Sequence, residues 1–179
     1  GPNAGPCPSG GTPPFLPGLE AGTLNNAAGA YSPFNLRLSR TDSEQEITHF
    51  SIKLPPGVSG KLAGIPFCSD ANIAAAKARE GTRQGGQEEI ERPSCPAGSE
   101  IGHTLVGAGV GNSLTYVPGK VYLAGPYKGS NLSIVSITAA KAGPFDLGTV
   151  VIREALKVNP ETAEVSVDAA GSDPIPHII

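Results

Sequence analysis

The sequence predicts an all-β protein: an antiparallel β-sandwich, Ig-like or jelly-roll-like, with one short surface helix near residues 70–81 and an extended N-terminal arm. Three observations carry this. The apolar runs are short and β-branched, turn residues separate them, and several alternate apolar with polar residues at period two. Glycine (24) and proline (18) are abundant, but past the arm they lie between apolar runs and read as turns.

Residues 1–30 form the arm, rich in Gly and Pro, with Phe15, Leu16, Leu19 and Leu24 as its apolar anchors. Alone, such a segment is mobile or polyproline-like; it orders only where its own domain or a neighbouring subunit holds it. The β-sandwich domain is expected over 31–179. Phe34, Leu36 and Leu38 alternate with Asn35, Arg37 and Ser39 in a first strand. Phe50, Ile52 and Leu54 do the same in a second, stopped by Pro55-Pro56-Gly57, and the two read as a hairpin turning at Thr41–Gln45. A helix follows over Ala71–Glu80, capped by Ser69 or Asp70 and stopped by Gly81. Its only apolar bulk is Ile73, which places it on the surface. Thr82–Pro93 is polar and reads as a loop. Strand character resumes at Ile101–Val110 and Leu114–Val117.

From Gly119 to Val167 the pattern is clearest. Runs at Val121–Ala124, Leu132–Thr138, Leu147–Val158 and Ala163–Val167 are separated by Gly125-Pro126, Lys128-Gly129-Ser130, Gly143-Pro144 and Asn159-Pro160. Val165 and Val167 alternate with Glu164, Ser166 and Asp168, as in a strand with one wet face. In the strand before it, Glu154 interrupts the apolar side formed by Val150, Ile152, Leu156 and Val158 and marks a bulge. The closing segment Asp173–Ile179 carries alternate prolines, which suits an edge strand or tail.

Composition excludes some partners. Net charge is −3 and the 13 basic residues are scattered, so no stripe exists to neutralise phosphates and nucleic acid is not an expected partner. No apolar run approaches the ~20 residues of a membrane span. Charged residues are only 16% of the chain, which suits a surface that meets other protein over much of its area. The chain lacks an initiator Met, and the expectation is that it starts after a processing site or is a piece of something longer.

Catalytic and ligand motifs are weak. Gly107–Asn112 imitates a phosphate loop, but Asn112 stands where the third glycine is needed and no helix follows. His49, His103 and His177 have no metal-ligand spacing and read as lone histidines. Asp42, Glu44 and Glu46 form a candidate Ca²⁺ turn without the density of oxygen ligands such loops show, so a solvated turn is the better reading. Asp146 reads as a turn or cap residue. Tyr116, Tyr122 and Tyr127 read as packing residues more readily than as a sugar-stacking patch. No catalytic residue and no cofactor is assigned.

Cys68 and Cys95 flank the helix and loop, and a bridge between them would close that insertion at its base, stabilising by roughly 3–4 kcal/mol; two unrelated buried thiols are the alternative. Cys7 is then left for a partner elsewhere. The stretches IPFCSDANIAAA, CPAGSEIGHT, VPGKVYLAGPYKG and AGPFDLGTVVIREALKVNPETAEV resemble a module of large, secreted, multi-module surface proteins of actinobacteria. The likeness runs from about Ala21 to the C-terminus, and the family has no assigned enzymatic activity. The resemblance implies a Cys68–Cys95 disulfide. It also implies that family modules continue past the point matching Ile179, through further strands to another cysteine.

The expected function is therefore a non-catalytic extracellular, cell-surface structural subunit that self-assembles into a filament or layer. Its partners are copies of itself or adjacent modules. A terminal arm donates a strand to the neighbour, with Phe15, Leu16, Leu19 and Leu24 or Ile175, Ile178 and Ile179 as assembly residues. An adhesive module binding a glycan or protein is the alternative.

Overall fold

The computed structural model describes residues 11–55, 57–109, 111 and 113–176, which belong to two compact units. One is the chain up to Ile47 with the segment Val110–Ser113; the other is Thr48–Gly109 with Leu114–Ile179. Cys7, His177, Ile178 and Ile179 lie outside the described residues.

The first unit is built on a hairpin, β1 (Gly18–Thr23) against β2 (Phe34–Ser39), in register from Gly18 opposite Ser39 to Thr23 opposite Phe34. The expected strand at 34–39 is present, but it pairs with the arm and not with residues 50–54. The connecting loop explains this. Asn25 N–H donates to Ser32 Oγ, Asn25 Oδ1 accepts from Ala27 N–H, and Gly29 sits at φ +75°, so the chain reverses locally. Further back, Gln45 N–H and Nε2 donate to the carbonyls of Pro14 and Pro13. Residues 13–23 of the arm are thus held within this unit.

The second unit is a curled six-stranded antiparallel sheet. Its strands are β3 (Ile52–Lys53), β4 (Glu100–Ala108), β5 (Thr115–Ala124), β6 (Leu132–Ala142), β7 (Phe145–Val158) and β8 (Val165–Ser172), in the spatial order β3-β8-β7-β6-β5-β4. From β4 to β8 each strand pairs with its sequence neighbour, so no connection crosses to a second layer. The described residues therefore give a mostly β, antiparallel fold, as expected. The two runs on either side of Pro118 are one strand. The ladder from β5 to β6 begins at Gly119 opposite Thr138, one residue past the proline that lacks an N–H. The register shift in the β7–β8 ladder falls between Glu154 and Leu156, where the polar interruption foretold a bulge.

Two short helices cover one face of the sheet, where one was expected. The first, α1 (Asp70–Lys77), starts with Ser69 Oγ accepting from Asn72 N–H, and Gly81 lies beyond its end at φ +64°. It is not a bystander on the surface. Ile73 and Ala76 are buried with Cys68, Cys95, Tyr122, Val135, Ile137 and Val151. The second, α2 (Gly85–Glu91), replaces the polar loop. Its first turn contains two glycines and its N-cap, Gln84, is left-handed and makes no side-chain cap, so local sequence gives it no start signal. Cys68 and Cys95 form the disulfide that closes this insertion, with Cα atoms 5.2 Å apart.

Between the helices, the chain at Arg79–Gly81 acts as a short extra strand along β7. Thr149 N–H donates to the Arg79 carbonyl, Gly81 N–H to the Leu147 carbonyl, and Thr149 Oγ1 to the Ala76 carbonyl. Gly148 permits that approach. Its φ is +84°, and an added Cβ would lie 2.1 Å from the Arg79 carbonyl oxygen and 2.7 Å from Gly81 N. Gly148→Ala is expected to destabilise the protein by roughly 3 kcal/mol or more, read as a lower midpoint in urea unfolding; an unchanged midpoint would refute the close approach.

Candidate functional site

The sheet has two unlike faces. Tyr122, Val135 and Arg153 are successive partners across β5, β6 and β7 and point toward the helices. On this side three polar anchors fix the insertion. Asp146 Oδ1 accepts from the N–H groups of Gly86 and Gly148, and Oδ2 accepts from Gln87 N–H, each at 2.9 Å. A residue about sixty positions away thus supplies the cap that α2 lacks. Burial alone would raise the Asp146 carboxyl, but the N–H donors of Gly148, Gln87 and Gly86, with Lys141 nearby, hold it below the usual carboxylate range. The second anchor is Glu89, buried in α2, which bonds Arg79 and accepts from Ser94 N–H at 2.9 Å and Ser94 Oγ at 2.6 Å.

The third anchor is Arg153. Its buried guanidinium donates to Asp70 Oδ1 (2.8 Å), Ser133 Oγ (3.0 Å) and the carbonyls of Gly125 and Pro126, and it lies 4.5 Å from the Tyr127 ring centroid. Tyr127 donates to Asp173, which also faces Lys77 and Lys128, each at 3.4 Å. Burial works to raise the Asp173 carboxyl, but Tyr127, Lys77 and Lys128 hold it low. The named groups in this cluster pair with charges and dipoles of their own chain and so join segments.

The other face carries Leu123, Ile134, Ile152 and Leu156, with Glu154 among them: Ile134 is its partner on β6 and Ser172 on β8. Burial among aliphatic groups pushes the Glu154 carboxyl up to about 7.

The described residues singled out from the sequence serve local contacts as follows. Asp42 Oδ2 accepts from Gly111 N–H at 2.6 Å and Glu44 Oε2 from Thr41 N–H at 2.9 Å, so these two serve the turn. Among the described residues no three His, Cys, Asp or Glu side chains gather as metal ligands. His49 contacts Thr48 and His103 lies 3.4 Å from Glu100. Gly107–Asn112 leads into β5 and not a helix. The tyrosines are dispersed: Tyr122 is in the core, where burial, then Glu89 and Glu100, push its hydroxyl up to about 12, while Tyr116 is exposed. Among the described residues no helix is long and apolar enough to cross a membrane.

The described residues expected to serve assembly divide. Phe15, Leu16, Leu19 and Leu24 are all exposed. Ile175 is instead tied into its own unit, its N–H donating to the Thr48 carbonyl at 2.7 Å. What the sequence reading missed is the amphipathic hairpin. Leu19 faces Leu38, Ala21 faces Leu36 and Thr23 faces Phe34, an apolar side; Glu20 faces Arg37, 3.7 Å apart, on the other. The alternation in Phe34–Ser39 was the available signal, but Gly18–Thr23 shows too little of it to be read as the partner.

No family model matches the chain, and neither a curated protein nor a solved structure does.

Two pH dependences follow from the carboxylates. The raised Glu154 contributes stability that is full below about pH 4.5 and lost as pH rises through about 7. Glu154→Gln is therefore expected to flatten the stability profile over that range and to exceed the parent at pH 8 by no more than about 3 kcal/mol. Asp146 has the opposite sign. Its contribution is present above the ordinary carboxylate pKa and lost as pH falls through its lowered one. Asp146→Asn is expected to lower the thermal midpoint at pH 7, with the gap to the parent closing in acid. A gap that stays constant down to pH 2 would sink this account.

Proposed function

We propose that this chain is a non-catalytic extracellular structural subunit that assembles with copies of itself into a filament or layer. The element it gives to a neighbour is the β1–β2 hairpin instead of a single extended arm. The observation that supports this reading is the apolar side of that hairpin. An isolated two-stranded ribbon is marginal in water and needs a packed face to persist. Here Leu19 stays 64% exposed, and Phe34 and Leu36 remain in contact with solvent as well. The arm residues Phe15, Leu16 and Leu24 add to the same unit's uncovered apolar surface.

Secretion and a cell-surface location belong to this proposal, with the disulfide as their support, since such bridges persist in oxidising compartments. In the same reading, an Ig-like or jelly-roll-like sandwich arises on assembly, when strands of one copy are added to the sheet of another. The absence of catalytic chemistry is part of the proposal too, because the buried charges on the helix-covered face all serve cohesion. For the alternative, an adhesive module, the expected loops offer little support. Thr82–Arg92 contains α2, and Gly125–Ser130 is held by Arg153 and by reciprocal bonds between Tyr127 and Ser130.

Association measured by sedimentation velocity tests the reading. The parent is expected to form oligomers whose size grows with concentration, and Leu19→Lys to weaken that association at least tenfold with the fold intact by circular dichroism. A parent protein that stays monomeric at every concentration would overturn it.

A further inference from the structure

The two ends of the six-stranded sheet are treated very differently. At one end the last strand, β3, is two residues long and is followed by Leu54 and Pro55, the latter with no N–H to offer. At the other, β4 runs for nine residues, and among the described residues no strand pairs with its outer side. Soluble proteins protect such an edge with Lys, Pro, a bulge or brevity. Along β4 there is no Lys and no Pro, and its register shift is confined to the start, between Glu100 and Gly102. Beside this edge lies uncovered apolar surface on a single face of the sheet. Leu105 is opposite Pro118 and Gly107 opposite Tyr116, with Leu105 67% and Tyr116 58% exposed.

We infer that β4 is a self-pairing edge: it binds the β4 strand of a second copy, antiparallel, across a two-fold axis at Thr104. The strand's own sequence carries the choice of occupant. In that register Ile101 faces Gly107, Gly102 faces Val106, His103 faces Leu105 and Glu100 faces Ala108. Each glycine receives a large aliphatic residue, and no two like charges are opposed, as directly facing cross-strand pairs require. Residues of one sheet face meet residues of the same face, so the pleat runs unbroken from one six-stranded sheet into the other. The two copies of the Leu105, Pro118 and Tyr116 surface then lie side by side about the axis. An interface of this kind is isologous and closes on itself. It rests on the self-assembly reading, but it uses a different surface from the hairpin, and the two together would propagate a polymer.

Sedimentation velocity on the full chain, with variants, distinguishes the outcomes. The parent is expected to dimerise at micromolar concentration, and Leu105→Lys, folded by circular dichroism, to raise the dimer Kd at least tenfold. Ile90→Lys, an exposed apolar residue on α2, is expected to leave it unchanged. In a Cys7→Ser background, Thr104→Cys places the new thiols at the axis, and mild oxidation is expected to give a covalent dimer on a non-reducing gel. If copies associate but Leu105→Lys associates as tightly as the parent, this inference fails and the hairpin reading stands. If Thr104→Cys does not cross-link in a protein that dimerises, the register is wrong and the inference fails. A parent that never associates overturns both.

Discussion

A buried guanidinium has to be saturated, and in this protein that requirement joins the sheet to the start of α1 and to the β5–β6 connection. Arg153 sits in the middle of β7 with its side chain in the interior. To satisfy its donors it draws on Ser133 of the adjacent strand, Asp70 at the start of α1, and the carbonyls of Gly125 and Pro126 in the β5–β6 connection. Its backbone completes the arrangement: the Arg153 carbonyl accepts from Asp173 N–H, which directs the chain as it leaves β8. A strongly hydrogen-bonded charge of this kind is costly to leave half-paired, so the connected segments hold their places together or not at all.

The insertion between Cys68 and Cys95 shows the same logic at smaller scale. Neither helix is long enough to stand alone in water. The first is sustained by Ile73 and Ala76 packed on Tyr122, Val135 and Ile137, the second by a carboxylate from the β6–β7 hairpin and by the bond of Glu89 to Arg79. The disulfide limits how far the excursion can wander when unfolded, and the sheet decides where it rests when folded. The small residues Gly86 and Gly148 are part of that fit, since each stands where a side chain would meet Asp146 or the Arg79 carbonyl.

The buried charges Glu89 and Arg153 hold segments together, and two weakly charged surfaces face outward. These are the apolar side-chain face of the β1–β2 hairpin and the unpaired edge of β4, and an exposed edge is the type of surface β-proteins use for strand addition.

Short apolar runs between turn residues marked the regions of β4 to β8, though β5 read as two runs, and period-two alternation was clear at Val165 and Val167, where β8 begins. It also foretold the bulge at Glu154, and the flanking positions of Cys68 and Cys95 marked the base of the insertion. Ser69 and Gly81 announced α1 by local rules that need no tertiary partner. Other features depended on residues distant in the chain. The second helix has a glycine-rich start that only Asp146 makes tenable. The partner of Phe34–Ser39 was chosen by a reversal at Asn25 to Ser32, not by apolar pattern. The strand order of the six-stranded sheet follows from β4 to β8 pairing in sequence order. Alternation says which side of a strand is dry, but not what dries it, and only the tertiary structure shows that the cover is a disulfide-closed pair of helices.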